Sequence, residues 1–139
     1  MEASTRAIDT GTDELLCELR ERVAVITLNR PQARNSLSDQ LSPALREMIR
    51  FCADDAQVGA VMITGAGAAF CAGGDVKGFA KNAGGAPLSV SFDTKVTDLR
   101  ARMEVARWLH EMPKPTLAVI PGAAAGAGLS VALACDLRI

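Results

Sequence analysis

The stretch GAAAGAGLSVALACD, residues 122–136, decides the fold of this chain, because small residues fill the gap between two apolar runs. Each Gly costs backbone entropy on folding, so such a turn needs a physical reason. The preceding PTLAVIPG (115–122) is typical of a buried strand, and LSVALAC (129–135) of a short apolar helix. The first N–H groups of a helix lack partners and carry partial positive charge. The stretch therefore predicts a strand, a tight turn and a helix N-terminus that favours an anion or a developing oxyanion.

A second small-residue turn, FCAGGD (70–75), follows the apolar run VGAVMIT (58–64), which predicts a strand covered on both faces. In open α/β sheets, ligands bind at the carboxyl ends of such strands. For either turn alone, tight bending and close helix packing explain the glycines equally well. Neither turn matches the dinucleotide fingerprint G-x-G-x-x-G or the phosphate loop G-x-x-x-x-G-K-[ST], which argues against a nucleotide-phosphate cradle.

The rest of the chain alternates strand and helix patterns. ELLCELRERVAVITLNR (14–30) predicts two strands, and KNAGGAPLSVS (81–91) a loop. One helix is predicted from LSDQLSPALREMIRFCADD (37–55), with Ser38 as its N-cap, and another through VTDLRARMEVARWLHEM (96–112). Their apolar faces are Leu41, Leu45, Met48, Ile49 and Cys52 in the first, and Val96, Leu99, Met103, Ala106 and Leu109 in the second. Because DLRI (136–139) begins a further strand, the order predicts crossover units and a mostly parallel sheet.

Length and composition indicate one globular domain. The chain has 139 residues, 49% of them hydrophobic, and a formal charge of -1, which argues against disorder and against nucleic-acid binding. One histidine and no clustered ligands predict no metal site. No signal peptide or membrane span is predicted, and residues 1–12 are expected to be a flexible lead-in to a domain over 13–139. The widely spaced cysteines, without a C-x-x-C pair, predict reduced thiols and a cytoplasmic location: Cys17, Cys52, Cys71 and Cys135.

Three motifs together carry a family resemblance: ITLNRPQARNSLS (26–38), VMITGAGAAFCAGGDVKGF (61–79) and MPKPTLAVIPGAAAGAGLSVALACDLRI (112–139). In order and spacing, residues 13–139 resemble the enoyl-CoA hydratase/isomerase family, also called the crotonase family. The resemblance implies an α/β, crotonase-like (ClpP/crotonase) fold of repeated ββα units, here the N-terminal part of an acyl-CoA-binding domain without the C-terminal helical region. It also implies a homotrimer or hexamer for the full-length subunit.

The resemblance implies site residues in both turns. The N–H groups of Gly74 and Ala127 would form an oxyanion hole for the thioester carbonyl of an acyl-CoA. Coenzyme A would be part of the substrate, and no permanently bound cofactor is expected. Arg34 and Lys77 suit CoA phosphates, although a solvated surface charge is the alternative for each. The other residues implied along the CoA path are Ala33, Ala72, Gly74, Asp75, Val76, Gly126 and Ala127, while Arg30 is expected to fix the local turn.

Ser130 occupies the position of the first catalytic glutamate of the family's hydratases. Serine cannot act as a carboxylate base, so double-bond isomerisation is favoured over hydration. The alternatives are a non-catalytic CoA-thioester-binding or assembly protein, a standard hydratase with a carboxylate beyond residue 139, and thioester hydrolysis. A nucleophilic Ser130 is disfavoured because His110 would be its one possible base. The 139 residues alone are expected to be inactive and, with an unpaired final strand, prone to association.

Overall fold

The computed structural model describes residues 4–77 and 91–139, which form a six-stranded sheet and a two-stranded sheet packed with helices. The predicted loop at 81–91 lies outside the described residues except for Ser91. In chain order the strands are β1 (Thr5–Ile8), β2 (Leu15–Arg20), β3 (Val23–Leu28), β4 (Ala60–Gly65), β5 (Ala69–Cys71), β6 (Thr116–Val119), β7 (Ala123–Ala124) and β8 (Leu137–Arg138). The helices are α1 (Leu41–Asp54), α2 (Phe92–Glu111) and α3 (Ala127–Ala134), with a 3-10 turn at Pro31–Ala33.

The large sheet has the order β1-β2-β3-β4-β6-β8. The first three strands pair antiparallel, and β3, β4, β6 and β8 pair parallel. After each of β4 and β6 the chain leaves this sheet and contributes a strand, β5 or β7, to the small parallel sheet. The chain therefore repeats a ββα arrangement, which confirms the predicted fold class and the mostly parallel sheet.

Helix α1 confirms its predicted apolar face, since Leu41, Leu45, Met48, Ile49 and Cys52 are all buried. The predicted cap is wrong by two residues, because the helix begins at Leu41 and its N-cap is Gln40, which makes no side-chain cap bond. Ser38 Oγ still accepts a hydrogen bond of 2.9 Å from Leu41 N, the first N–H of the helix. One partner of this helix is α2, which packs on both α1 and α3.

The predicted face of α2 is correct only in part. Leu109 is buried, as predicted, and so is Val105, which the prediction did not include. Leu99 and Met103 are 59% and 66% exposed, so they do not belong to the core. Periodicity identified an apolar stripe, but only its C-terminal half is covered by the described protein.

The N-terminal segment differs from the expected flexible lead-in over residues 1–12. Residues 5–8 form β1, an edge strand in register with β2 from Thr5 opposite Arg20 to Ile8 opposite Cys17. Most of its side chains are exposed, so no apolar period signals the strand. Its order comes from backbone pairing with β2, which burial patterns in the sequence do not reveal.

The core lies between the large sheet and the helices, and it includes the four cysteines, all of them free thiols and buried. At the α3-to-β8 corner, Asp136 Oδ2 accepts hydrogen bonds of 2.9 Å from Thr116 N and 3.1 Å from Thr116 Oγ1. Asp136 therefore ties the end of α3 to the start of β6. Among the described residues, no helix is both long enough and apolar enough to cross a membrane.

Candidate active site

The two small-residue turns lie side by side because β5 and β7 pair in parallel, with Cys71 opposite Ala124. The pairing continues past the strands, where Ala125 N donates to Cys71 O at 2.9 Å. A Cβ at Gly73 would lie 2.9 Å from Ala125 O, and Gly73 has φ +96°, so glycine is needed on both counts. The parallel pairing of these two short strands thus brings the residues that follow them to one edge.

Helix α3 sits unusually close to β5. A Cβ at Gly128 would lie 2.4 Å from Cys71 O and 2.6 Å from Cys71 Cβ, so only glycine allows this approach. The close contact places the N-terminus of α3 next to the turn after β5.

In the first turn, Leu37 holds the backbone on either side of Gly74. Leu37 N donates to Gly73 O at 2.7 Å, and Asp75 N donates to Leu37 O at 3.3 Å. The N–H of Gly74, between these two bonds, meets no acceptor within the described residues. Its peptide is therefore fixed while its donor stays available.

In the second turn, Ala127 is the first residue of α3, and Gly126 is its N-cap. The N–H groups of Gly128 and Leu129 both bond to Ala125 O, whereas the Ala127 N–H has no acceptor in the described part of the chain. Together with Gly74, this gives two unpaired donors at a helix N-terminus, where negative charge is stabilised.

Gly74 and Ala127 both line one cavity of about 320 Å³ between α1, α2 and α3. Its wall is mostly apolar, and none of the described residues that line it is a carboxylate. Leu99 and Met103, the exposed part of the α2 stripe, belong to this wall, which explains why apolar side chains lie outside the core there. The lining residues are Leu37, Ser42, Leu45, Gly74, Leu99, Arg102, Met103, Val105, Ala106, Ala127, Ser130 and Val131.

Ser130 lines the same cavity and is exposed. Its Oγ donates to the Gly126 carbonyl oxygen at 3.3 Å, one turn back in the helix. His110 lies in the last turn of α2 and does not line the cavity. Ser130 therefore bonds to the backbone and not to an imidazole, which gives a catalytic triad no support.

Comparison with known proteins identifies the family. A family model described as "Enoyl-CoA hydratase/isomerase" matches residues 18–139. The chain belongs to the enoyl-CoA hydratase/isomerase family. It is 38% identical over 127 residues to "Probable enoyl-CoA hydratase EchA14" of Mycobacterium tuberculosis, an alignment that covers 91% of this chain and 46% of that protein. The chain thus spans about half the length of the curated relatives it matches.

Solved structures of the family superpose on the described fold. A Pseudomonas aeruginosa protein, PA4980, has a TM-score of 0.78 and 36% identity, with 91% of this chain and 53% of that chain covered. A Streptomyces coelicolor A3(2) protein assigned as an enoyl-CoA hydratase has a TM-score of 0.81 and 33% identity, with 91% and 44% covered. The resemblance and the crotonase-like fold expected from the sequence are both confirmed.

The residues that the resemblance places along the CoA path lie outside the cavity wall, apart from the two donors. Ala72 N donates to Arg34 O at 2.9 Å, so these two residues and Ala33 are neighbours. Val76 is 75% exposed, and Lys77 is exposed as well. Gly126 caps α3, and Asp75 forms an ion pair with Arg30. The role of these residues in CoA binding stays a prediction.

Sequence analysis missed Asn35, which is fully buried at φ +55°. Its Oδ1 accepts from Arg30 N at 2.8 Å, and its Nδ2 donates to Ala66 O and Ala69 O, both at 2.9 Å. It thereby ties the turn after β3 to the turn between β4 and β5. A signal was available, because asparagine is among the few residues that adopt the left-handed conformation readily.

The cysteine next to the first turn has a packing role. Burial raises the pKa of the Cys71 thiol, so it stays protonated at neutral pH and packs against Gly128. Burial also raises the pKa of Cys135 to about 11. Neither thiol lines the cavity, so the site presents backbone donors and a serine, with no thiolate nucleophile among the described lining residues.

Proposed function

We propose that this chain belongs to an enzyme that acts on acyl-CoA thioesters, with the Gly74 and Ala127 N–H groups as its oxyanion hole. The observation that carries the proposal is that Gly74 and Ala127, whose N–H groups have no acceptor among the described residues, line the same apolar cavity. A thioester oxygen at the donors would leave the acyl chain facing the apolar wall. A donor of this kind contributes about 3 kcal/mol of transition-state stabilisation.

We further propose that the reaction is double-bond isomerisation. Removal of a C2 proton from a 3-enoyl thioester spreads negative charge from C2 to C4 and onto the thioester oxygen, which the two N–H groups hold. Return of the proton at C4 gives the 2-enoyl thioester, and no water is consumed. Hydration instead needs a base to activate water, and Ser130 supplies no carboxylate at that position. The group that carries the proton is not among the described residues that line the cavity.

The remaining partners follow from the family. Coenzyme A is proposed to be part of the substrate, with Arg34 and Lys77 as exposed cations suited to its phosphates. The family supports a homotrimer or hexamer for the whole gene product. Alone, the 139 residues are proposed to be inactive, since none of the described residues that line the cavity is a carboxylate.

The test is a time course of the whole gene product with crotonyl-CoA and with a 3-enoyl-CoA, followed by NMR and absorbance. Ser130→Glu is assayed beside it, and Ser130→Gln is the control because it has the same size without the charge. The proposal expects the wild type to move the double bond without adding water. It also expects Ser130→Glu, but not Ser130→Gln, to gain hydration.

Other results would revise the proposal in distinct ways. Rapid hydration of crotonyl-CoA by the wild type would show that another group activates water and that Ser130 does not mark an isomerase. Binding of both thioesters without turnover would favour a CoA-thioester-binding protein, a function that the cavity without a described carboxylate also allows.

A further inference from the structure

A half-buried arginine, Arg30, links the turn that carries Gly74 to the segment before α1. Arg30 is 14% exposed in its side chain, and its Nη1 donates to Ser36 O at 2.6 Å and to Ser36 Oγ at 3.1 Å. Its Nη2 lies 3.3 Å from Asp75 Oδ2. One planar guanidinium therefore joins Ser36 to Asp75, the residue that directly follows Gly74.

The same two segments are joined by backbone bonds. Leu37, next to Ser36, bonds to Gly73 O and Asp75 N on either side of Gly74. The Arg30 bridge and the Leu37 bonds close a ring around the Gly74 peptide. Asp75 is thus held to this segment both by its backbone bond to Leu37 and by its side-chain bond to Arg30, each of 3.3 Å.

We infer that the Arg30–Asp75 ion pair is a positioning device that aims the Gly74 N–H at the oxyanion site. The inference rests on the proposed function of Gly74 as a donor. Displacement of a catalytic group by about 1 Å can cost about 100-fold in rate. Neither side chain lines the cavity, so both act through the Gly74 peptide and not through contact with the acyl group.

The opposite side of Arg30 offers a matched control. Arg30 Nε lies 3.3 Å from Glu14 Oε1, the same separation as in the pair with Asp75, and the two carboxylate side chains are similarly exposed, at 27% and 22%. Glu14 precedes β2 and does not adjoin the Gly74 turn. Arg30 Nε makes no hydrogen bond among the described residues, so Glu14→Gln removes this second ion pair of Arg30 without releasing Asp75.

The experiment compares Asp75→Ala, Glu14→Gln and the wild-type whole gene product in steady-state assays with the acyl-CoA that it converts. Asp75→Ala is expected to lower kcat about 10- to 100-fold with KM changed by less than about 3-fold, because the lost alignment matters in the transition state. Glu14→Gln is expected to keep kcat within about 3-fold of the wild type. A rise in KM at unchanged kcat in Asp75→Ala would overturn the inference and place Asp75 in CoA binding. Equal losses of kcat in both variants would overturn it as well, in favour of a general structural role.

A second measurement keeps this test separate from the proposed activity. The Gly74 amide resonance, followed by ¹⁵N NMR without substrate, is expected to shift in Asp75→Ala by more than the same substitution shifts it in an unfolded peptide, and to stay in place in Glu14→Gln. A shift in Asp75→Ala no larger than in the peptide refutes the positioning role even if no acyl-CoA is turned over. Failure of the wild type on every thioester, with the resonance shifted as expected, would refute the proposed function and leave the positioning role intact.

Discussion

Replacement of Gly128 by alanine tests whether the contact between α3 and β5 builds the site. A Cβ there would lie 2.4 Å from Cys71 O, a backbone atom that cannot rotate away. To restore an ordinary contact of about 3.4 Å, α3 must move by about 1 Å relative to β5. The N-terminus of α3 carries Ala127, so the same movement separates its N–H from that of Gly74.

The expected loss of stability is the difference between two effects. Alanine within a helix gains about 1 kcal/mol over glycine. Overpacking of a closely packed site costs about 1–3 kcal/mol, and the backbone contact places Gly128 at the upper end of that range. Gly128→Ala should therefore lower the free energy of unfolding by about 2 kcal/mol. With one donor displaced by about 1 Å, kcat should fall by about 100-fold.

The assay is urea-induced unfolding of the whole gene product, together with turnover of the acyl-CoA thioester that it is proposed to convert. Gly59→Ala is the control, because its Cβ would meet the flexible Arg22 side chain at 3.1 Å and no constrained backbone closer than 3.5 Å. Its effect should stay within about 0.5 kcal/mol. If Gly128→Ala is as stable and as active as the wild type, the close approach of α3 to β5 does not exist as described.

Three further predictions concern single residues around the site. Asn35→Leu should lower the free energy of unfolding by about 3 kcal/mol in urea titrations, because it leaves Ala66 O and Ala69 O without their buried donor; an unchanged midpoint would contradict this. Asp136→Ala should cost about 1–3 kcal/mol in the same assay and Asp136→Asn less, since asparagine can still accept from Thr116; equal losses would contradict it. Burial raises the pKa of Cys135 from 9.0 to about 11, so the protonated thiol favours the folded state: this stabilisation is complete below about pH 9 and is lost as pH rises towards 11. Cys135→Ala should lack that loss, and parallel stability curves for the two proteins between pH 8 and about 11 would contradict the prediction.

Much of the fold could be predicted because its signals are local. The α1 face and the β4 run are visible in the apolar pattern, and the two turns are visible in their small residues. The pairing that matters for the site is less visible: β7 has two residues, and nothing in its composition predicts that it pairs with β5. The apolar face of α2 could not be interpreted fully from the sequence. An apolar pattern predicts that Leu99 and Met103 face other parts of the protein, but it does not distinguish the core from the wall of a cavity, where they lie.

The candidate site combines backbone N–H groups, which are held by packing, with side chains that enter the cavity. Its proposed donors are peptide N–H groups, whose positions depend on packing at Gly73 and Gly128 and on the bonds around Gly74. Alanine at position 127 is therefore expected to serve as well as another small residue. Side chains that enter the cavity are not held by such packing: Ser130 is exposed, and its side chain donates one hydrogen bond, to Gly126 O at the start of α3. Substitution at Ser130 should therefore change the reaction without disturbing the proposed oxyanion hole, whereas substitution at Gly128 should disturb every reaction that uses it. The two turns therefore indicate the family, whereas the type of reaction is proposed to depend on Ser130 and its neighbours in the cavity.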